Sequence, residues 1–133
     1  SLVILVAIES ALVRPYFLAF LNSFSGGPRH GSQYLVDSNI DWGQDLDRLG
    51  KELRQRGIGE VALVYFGTAE AEPALPNRIH LPTSDEPDQI RDFHGVAAIS
   101  VTALLSRDRS YAWLRPLTPT TVVGYSIFVY DLR

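Results

Sequence analysis

The amino-acid sequence predicts an α/β fold, a single domain in which a mixed β-sheet of four to five strands carries packed helices. A length of 133 residues suits one domain, and 46% hydrophobic with 20% charged residues is an ordinary globular balance. Apolar runs at residues 60–66, 95–105 and 120–132 indicate strands. An amphipathic run at residues 42–56 precedes them, and helices alternating with strands are typical of α/β proteins.

The first part of the chain is apolar and has two interpretations. Residues 2–13 form an apolar run interrupted mainly by Glu9. A membrane span needs ~20 apolar residues, so this run is either the end of a transmembrane helix or a buried strand or helix of a soluble core. Pro15 ends the run, because the residue before a proline avoids helical geometry. Aromatic residues at helical spacing within 16–24 predict a short amphipathic helix, lying on a membrane surface or on the domain core.

The central part is predicted to be a strand–helix–strand unit. Residues 33–36 indicate a short strand, and residues 42–56 indicate a helix whose leucines and Trp42 share one face. Gly57 is a natural helix end. The following strand, 60–66, is nearly all apolar, which favours a central position in a sheet covered on both faces. The order predicts a right-handed parallel crossover.

The second half is predicted to begin with a long Pro-rich surface excursion at residues 67–94, with one helical turn near residues 69–74. Residues 95–105 indicate a buried strand that turns helical at its end, and residues 111–114 a short helical turn. Residues 120–132 are predicted to form one long final strand. Alternation would place four of its side chains on one face: Val123, Tyr125, Ile127 and Val129.

Composition excludes several function classes. The formal net charge is −3 and no long basic run occurs, so nucleic acid is not an expected partner. The absence of cysteine excludes thiol chemistry, disulfides and thiolate metal sites. The three histidines lack metal-ligand spacing, and we expect neither a metal nor a cofactor. A chain that begins at Ser1 and has no methionine is expected to be a piece of a longer protein.

The densest polar cluster of the chain comes just before the central helix. Asp37, Asn39 and Asp41 match the first three ligand positions of a calcium-binding loop. Trp42 then stands where glycine is required, and Arg48 where a bidentate acid is required, so an EF-hand is rejected.

The same cluster also has a purely structural interpretation. Asn39 or Asp41 can cap the helix by accepting its free amide hydrogens, with Trp42 anchoring the helix to the sheet. Two catalytic motifs fail. The glycine-rich run at 26–31 contains a proline and opens no long helix, and no G-x-S-x-G serine motif occurs.

One long string and several shorter ones occur together in a fixed order. The string at 37–46, DSNIDWGQDL, is the most specific, and weaker matches are Gly26-Gly27-Pro28, Tyr65-Phe66-Gly67, Tyr111-Ala112-Trp113-Leu114 and the run at 124–130. Over about residues 14–133 the chain resembles the C-terminal region of bacterial multi-spanning glycosyltransferases. That family is similar to the dolichyl-phosphate-mannose protein mannosyltransferases. The family often has His-Pro where this chain has Arg14-Pro15, so no histidine role carries over there.

The resemblance implies a parent protein with many transmembrane helices that uses a polyprenyl-phosphate sugar and a glycan acceptor. Residues 1–24 would be the end of a membrane helix and an amphipathic connector. Residues 25–133 would be a soluble α/β domain, with the Pro-rich excursion at 67–94, on the extracytoplasmic (periplasmic) side of the cell membrane. The family's catalytic acid lies in the membrane half, so we expect no catalytic residue here and an inactive isolated chain. The main partner would be the membrane portion of the same polypeptide.

Within this interpretation the polar cluster is expected to contact the acceptor or another glycan, close to the bilayer and away from water. The candidate substrate-binding residues are Asp37, Asn39, Asp41, Trp42, Gln44 and Asp45. Two other functions remain open. One is a non-catalytic module that binds glycan or protein, and the other is an independent metal-dependent or hydrolytic enzyme.

Overall fold

The core of the protein is a five-stranded mixed sheet. A computed structural model describes residues 2–17, 26–27, 42–67, 70–71, 73–75, 77–80, 91–107 and 109–133. The elements are α1 (Leu2–Val13), α2 (Leu46–Gln55), β1 (Val61–Val64), β2 (Arg78–His80), β3 (Val96–Ser100), α3 (Val101–Leu104), a 3₁₀ helix (Ala112–Leu114), β4 (Thr121–Val123) and β5 (Ile127–Asp131). The strand order is β2-β1-β3-β5-β4.

The pairing of the strands confirms the predicted α/β fold and mixed sheet. β1 lies parallel to both β2 and β3, whereas β5 lies antiparallel to both β3 and β4. Every residue of β1 and β3 is buried, as expected of strands covered on both faces. The predicted strand at residues 33–36 lies outside the described residues.

Two apolar clusters cover the two faces of the sheet. On one face, α2 contributes Leu46, Leu49 and Leu53, which are at most 3% exposed. Burying a leucine stabilises the fold by about 1.5–3 kcal/mol, so this stripe holds α2 on the sheet. On the other face lie residues that follow β3, among them Leu104 and Leu114.

The start of α2 differs from the prediction. A helix over residues 42–56 was expected, but residues 42–45 form turns and the helix begins at Leu46. Asp45 occupies the N-cap position without a side-chain cap hydrogen bond, because its carboxylate is bonded to Arg48 and Ser126 instead. The two residues that the sequence proposes as caps, Asn39 and Asp41, lie outside the described residues.

The predicted single strand at 120–132 is wrong, because a turn divides it into β4 and β5. Gly124 and Tyr125 have φ values of 60° and 67°, and the Ser126 N–H donates to the Val123 carbonyl at 3.1 Å. Two successive positive φ values match the turn that best fits the twist of a hairpin. Tyr125 therefore lies in the turn and does not alternate with Val123 along a strand.

Smaller elements show a similar mixture of outcomes. β3 is followed at once by α3, which confirms the predicted strand that turns helical, and the Ser100 hydroxyl caps α3 by accepting the Ala103 N–H at 3.2 Å. The 3₁₀ helix confirms the predicted turn at 111–114. The segment predicted as an irregular excursion supplies edge strand β2, which the prediction missed. Part of the turn expected at 69–74 and most of the helix expected at 16–24 fall outside the described ranges.

α1 is a helix whose apolar residues point outward. Residues that are half or more exposed include Leu2, Val3, Ile4, Ile8 and Leu12, whereas Glu9 and Val13 are buried. Both strand and buried-core interpretations of this segment are therefore wrong. Along the part of the chain that the structure describes, no helix is both long and apolar enough to cross a membrane.

The end of β5 carries an exposed ion pair between Asp131 and Arg133, which changes the pKa of Asp131. The Arg133 guanidinium donates to both oxygens of Asp131, at 2.9 Å from Nε and 2.7 Å from Nη2. These hydrogen bonds lower the pKa of Asp131 from 3.8 to about 2. Because the folded pKa is depressed, the pair's contribution to stability is present above pH 3.8 and is lost as the pH falls toward about 2.

We expect an NMR pH titration of the Asp131 carboxyl carbon to give a pKa of about 2. In Arg133→Ala the pKa should rise toward 3.8, because the side-chain donors are gone. Arg115→Ala serves as the control, since that guanidinium bonds to the Leu104 carbonyl instead. An unchanged Asp131 pKa in Arg133→Ala would contradict the assigned cause.

Candidate functional site

Several segments meet at the edge of the sheet where the parallel strands β1 and β3 have their carboxyl ends, here called the carboxyl edge. β1 runs into residues 65–67 there. Ser100, at the end of β3, pairs with Ile127, so the turn between β4 and β5 lies at the same edge. The start of α2 joins this edge through a bond between Asp45 and Ser126. Ligands of open α/β sheets characteristically bind at the carboxyl ends of strands.

A buried carboxylate organises the carboxyl edge. Asp45 is 1% exposed, and its Oδ2 accepts a hydrogen bond from the Ser126 hydroxyl at 2.7 Å. Its Oδ1 accepts from Nη1 of Arg48, one turn further along α2, and the two side chains form an ion pair. The Gln44 amide donates to Oδ2 at 3.3 Å. Asp45, Arg48 and Ser126, here called the Asp45 cluster, thus tie α2 to the β4–β5 turn.

The β4–β5 turn lies so close to Asp45 that only glycine fits at position 124. A Cβ atom on Gly124 would lie well within 3.0 Å of the Asp45 carboxyl group, a separation that real Cβ atoms essentially never show. Gly124 also has a φ of 60°, which glycine adopts without steric cost. Both the space and the backbone conformation therefore require glycine at this position.

Tyr16 connects α1 to the same cluster. It follows α1 closely, and its ring meets the ring of Tyr125 edge-on, with centroids 5.3 Å apart and planes at 85°. The guanidinium carbon of Arg48 lies 4.6 Å from the centroid of the Tyr16 ring, within the range of a cation–π contact. The end of α1 is thereby joined to α2 and to the β4–β5 turn.

Trp42 presents an aromatic surface beside these contacts. Its side chain is 47% exposed and tilts against the Phe66 ring, with centroids 5.8 Å apart. The Trp42 backbone N–H donates to Gln44 Oε1 at 2.7 Å, and Gly67 lies so close to the Trp42 backbone that a side chain there would collide with it. The prediction that Trp42 anchors α2 to the sheet is therefore wrong, because Trp42 is held at the surface.

A pocket of about 240 Å³ opens between the end of α1 and the start of α2. We call it the Tyr16 pocket. An exposed phenylalanine, a tyrosine, a buried aspartate and polar side chains line it. The lining residues are Pro15, Tyr16, Phe17, Gln44, Asp45, Arg48 and Gly124.

The structure brings half of the predicted site residues together. Trp42, Gln44 and Asp45 adjoin one another at the carboxyl edge, with Trp42 exposed and Asp45 buried. The other candidates, Asp37, Asn39 and Asp41, are not among the described residues. Where the structure is described, no group of three or more histidine and carboxylate side chains is placed to hold a metal ion.

The sequence analysis missed Tyr16, Arg48 and Ser126 as parts of this site. Arg48 had a local signal, because residues three apart on a helix are neighbours and Asp45 precedes it by three. Ser126 had none, since 81 positions separate it from Asp45.

Comparison with known proteins adds no further constraint. No family model, curated protein or solved structure matches this chain. The resemblance to glycosyltransferases therefore stays a prediction.

Proposed function

We propose that this chain is the extracytoplasmic C-terminal domain of a membrane glycosyltransferase that uses a lipid-linked sugar donor, and that it contributes contacts to the acceptor glycan. The observation that carries the proposal is the pairing of an exposed apolar helix with an exposed aromatic residue. α1 leads directly into Tyr16, which contacts the Asp45 cluster, and Trp42 lies at the same edge of the sheet.

The surface of α1 favours a lipid environment. Leu2, Val3 and Leu12 are 75–80% exposed, and residues 2–13 contain no basic side chain. A helix that is apolar around most of its circumference is stable when it lies in a large core or in hydrocarbon. The sole acidic residue, Glu9, is turned inward and buried, as expected of an ionisable residue in a helix that faces lipid.

The carboxyl edge suits contact with a sugar. The exposed Trp42 ring, supported by Phe66, offers a flat apolar surface, while Gln44 holds the Trp42 backbone in place. Transfer from a lipid phosphate requires an acceptor positioned close to the bilayer, and correct positioning lowers the barrier to reaction. A domain held next to α1 would keep such an acceptor near the donor headgroup.

The same aromatic surface also fits a second function, a glycan-binding module that takes no part in catalysis. Trp42 and Phe66 would serve it equally well, since they bind rather than react. The two functions differ in whether loss of Trp42 changes sugar transfer by the complete protein.

We expect Trp42→Ala to lower transferase activity about tenfold, a loss of about 1.4 kcal/mol in transition-state stabilisation. The assay follows sugar transfer from a polyprenyl-phosphate donor in membranes that contain the full-length protein. The melting temperature of the 133-residue chain should change little, because Trp42 is half exposed and belongs to neither apolar cluster. Trp42→Phe should keep most activity, since it retains an aromatic ring.

Leu117→Ala is the matched control, because Leu117 is 43% exposed and lines a different pocket. It should leave transfer unchanged. Equal losses of activity and stability in Trp42→Ala would favour a purely structural role. A complete protein that binds glycan but transfers no sugar would exclude the transferase and leave the binding module.

A further inference from the structure

We propose that the Tyr16 pocket binds one neutral sugar ring of the acceptor glycan, an inference that rests on the proposed function and names the ligand of its site. The pocket is bounded by residues that follow α1, by the start of α2 and by the β4–β5 turn. Its charge, its aromatic walls and its position each point to this class of ligand.

The charges in the pocket favour a neutral ligand. The carboxylate of Asp45 and the guanidinium of Arg48 are in direct contact, so their charges largely cancel. A phosphate would have to compete with Asp45 for Arg48, and a metal ion would have to displace Arg48 from Asp45. A hydroxyl group needs neither, because it can donate to one polar group and accept from another. Gln44 lines the same pocket: its amide oxygen accepts from the Trp42 N–H and its amide nitrogen donates to Asp45, and a side-chain amide can accept and donate more than one hydrogen bond.

The aromatic walls favour a ring with an apolar face. Phe17 lines the pocket and is 58% exposed, and Tyr16 is fixed by its contacts with Tyr125 and Arg48. Pockets for drug-sized ligands have volumes of about 300–1,000 Å³. A volume of about 240 Å³ therefore suits a single small ring rather than an extended chain.

The position of the pocket links it to Trp42. Gln44 lines the pocket and its Oε1 also accepts the Trp42 backbone N–H, so Trp42 is joined to a residue of the pocket wall. One sugar residue can occupy the pocket while its neighbour lies on Trp42. Because the pocket begins directly after α1, a ring bound there would lie near the bilayer that α1 is proposed to enter.

The test is an NMR titration of the ¹⁵N-labelled 133-residue chain in detergent micelles. The probes are the methyl glycosides of neutral hexoses and, separately, inorganic phosphate. A neutral glycoside should shift the Gln44 side-chain amide and the Arg48 Nε–H signals. Phe17→Ala should weaken its binding about tenfold. Arg48→Lys should weaken binding similarly, because lysine lacks the planar fork of donors.

Two exposed positions outside the pocket serve as controls. Leu117→Ala and Gln55→Ala should leave the dissociation constant unchanged. The pocket proposal is overturned if inorganic phosphate shifts the same signals more strongly than the glycosides do. It is also overturned if Phe17→Ala binds the glycosides as well as the unaltered chain.

The outcome can be separated from that of the proposed function. Glycoside binding in the pocket, together with no sugar transfer by the full-length protein, would support the pocket and exclude the transferase. Sugar transfer that depends on Trp42, together with no glycoside shift at Gln44 or Arg48, would keep the transferase and overturn the pocket.

Discussion

Replacing Asp45 with alanine is expected to lower the free energy of unfolding by about 3 kcal/mol, because breaking a buried ion pair typically costs about 3–5 kcal/mol. The Asp45 side chain is 1% exposed, whereas the Arg48 side chain is 32% exposed. Contact with water can therefore replace part of the interaction that the Arg48 guanidinium loses when the Asp45 carboxylate is removed. The Ser126 hydroxyl, which donates to Asp45 at 2.7 Å, also loses its acceptor. The expected loss is therefore at the lower end of that range.

Urea denaturation of the unaltered chain and of Asp45→Ala measures this difference in the free energy of unfolding. Asp47→Ala is the matched control, since it removes the same charge from the first turn of the same helix at an exposed position. Its cost should be below about 1 kcal/mol, the size of a favourable helix-dipole interaction. Equal losses in Asp45→Ala and Asp47→Ala would show that the Asp45 cluster does not hold α2 to the turn.

Local patterns in the sequence accounted for the parts of the fold that depend on local physics. The apolar stripe of α2 was evident because helical spacing places Leu46, Leu49 and Leu53 on one face. Strands β1 and β3 were evident because both are continuous apolar runs. The start of α2 was misplaced because Gly43 has a φ of 78°, a left-handed conformation that a right-handed helix cannot contain.

The elements that sequence reasoning missed lacked a local signal. The β4–β5 turn lies inside an apolar run. Tyr125 in this turn has a positive φ, which is uncommon for a bulky residue and is therefore not suggested by the sequence. β2 has only three residues and lies in a segment rich in proline. α1 could be either helix or strand because a short, uniformly apolar run carries no periodicity.

The candidate site follows the same division. Trp42, Gln44 and Asp45 were predicted together because they are neighbours in one polar string. Tyr16 and the β4–β5 turn join them only through folding, by ring contacts and one hydrogen bond between distant parts of the chain. Sequence alone therefore indicated three residues of the carboxyl edge but not the Tyr16 pocket, which Gln44 and Asp45 line together with residues from distant parts of the chain.

Gly124→Ala is expected to destabilise the protein by about 3 kcal/mol, through two separate effects. A residue with a Cβ costs about 1–2 kcal/mol in the left-handed backbone region, where Gly124 lies at a φ of 60°. The new methyl group would also collide with the Asp45 carboxyl group, and overpacking of this kind typically costs about 1–3 kcal/mol. Urea denaturation again measures the total.

A matched glycine separates these two effects. Gly57, just after α2, has a φ of 68° but no atom within 4 Å of a Cβ built on it. Gly57→Ala should therefore show the backbone cost alone, about 1 kcal/mol. The difference between the two variants, about 2 kcal/mol, is the expected cost of the collision with Asp45.

A double-variant cycle then tests whether the collision is with Asp45 itself. In an Asp45→Ala background the carboxyl group is gone, so Gly124→Ala should cost no more than Gly57→Ala does. The resulting coupling of about 2 kcal/mol would show that the turn and the start of α2 are in direct contact, since distant sites add within about 0.5 kcal/mol. A cost of about 3 kcal/mol in both backgrounds would mean that Gly124 faces another group. The β4–β5 turn would then be held at the carboxyl edge without Asp45, and the Tyr16 pocket would be lined differently beside Gly124.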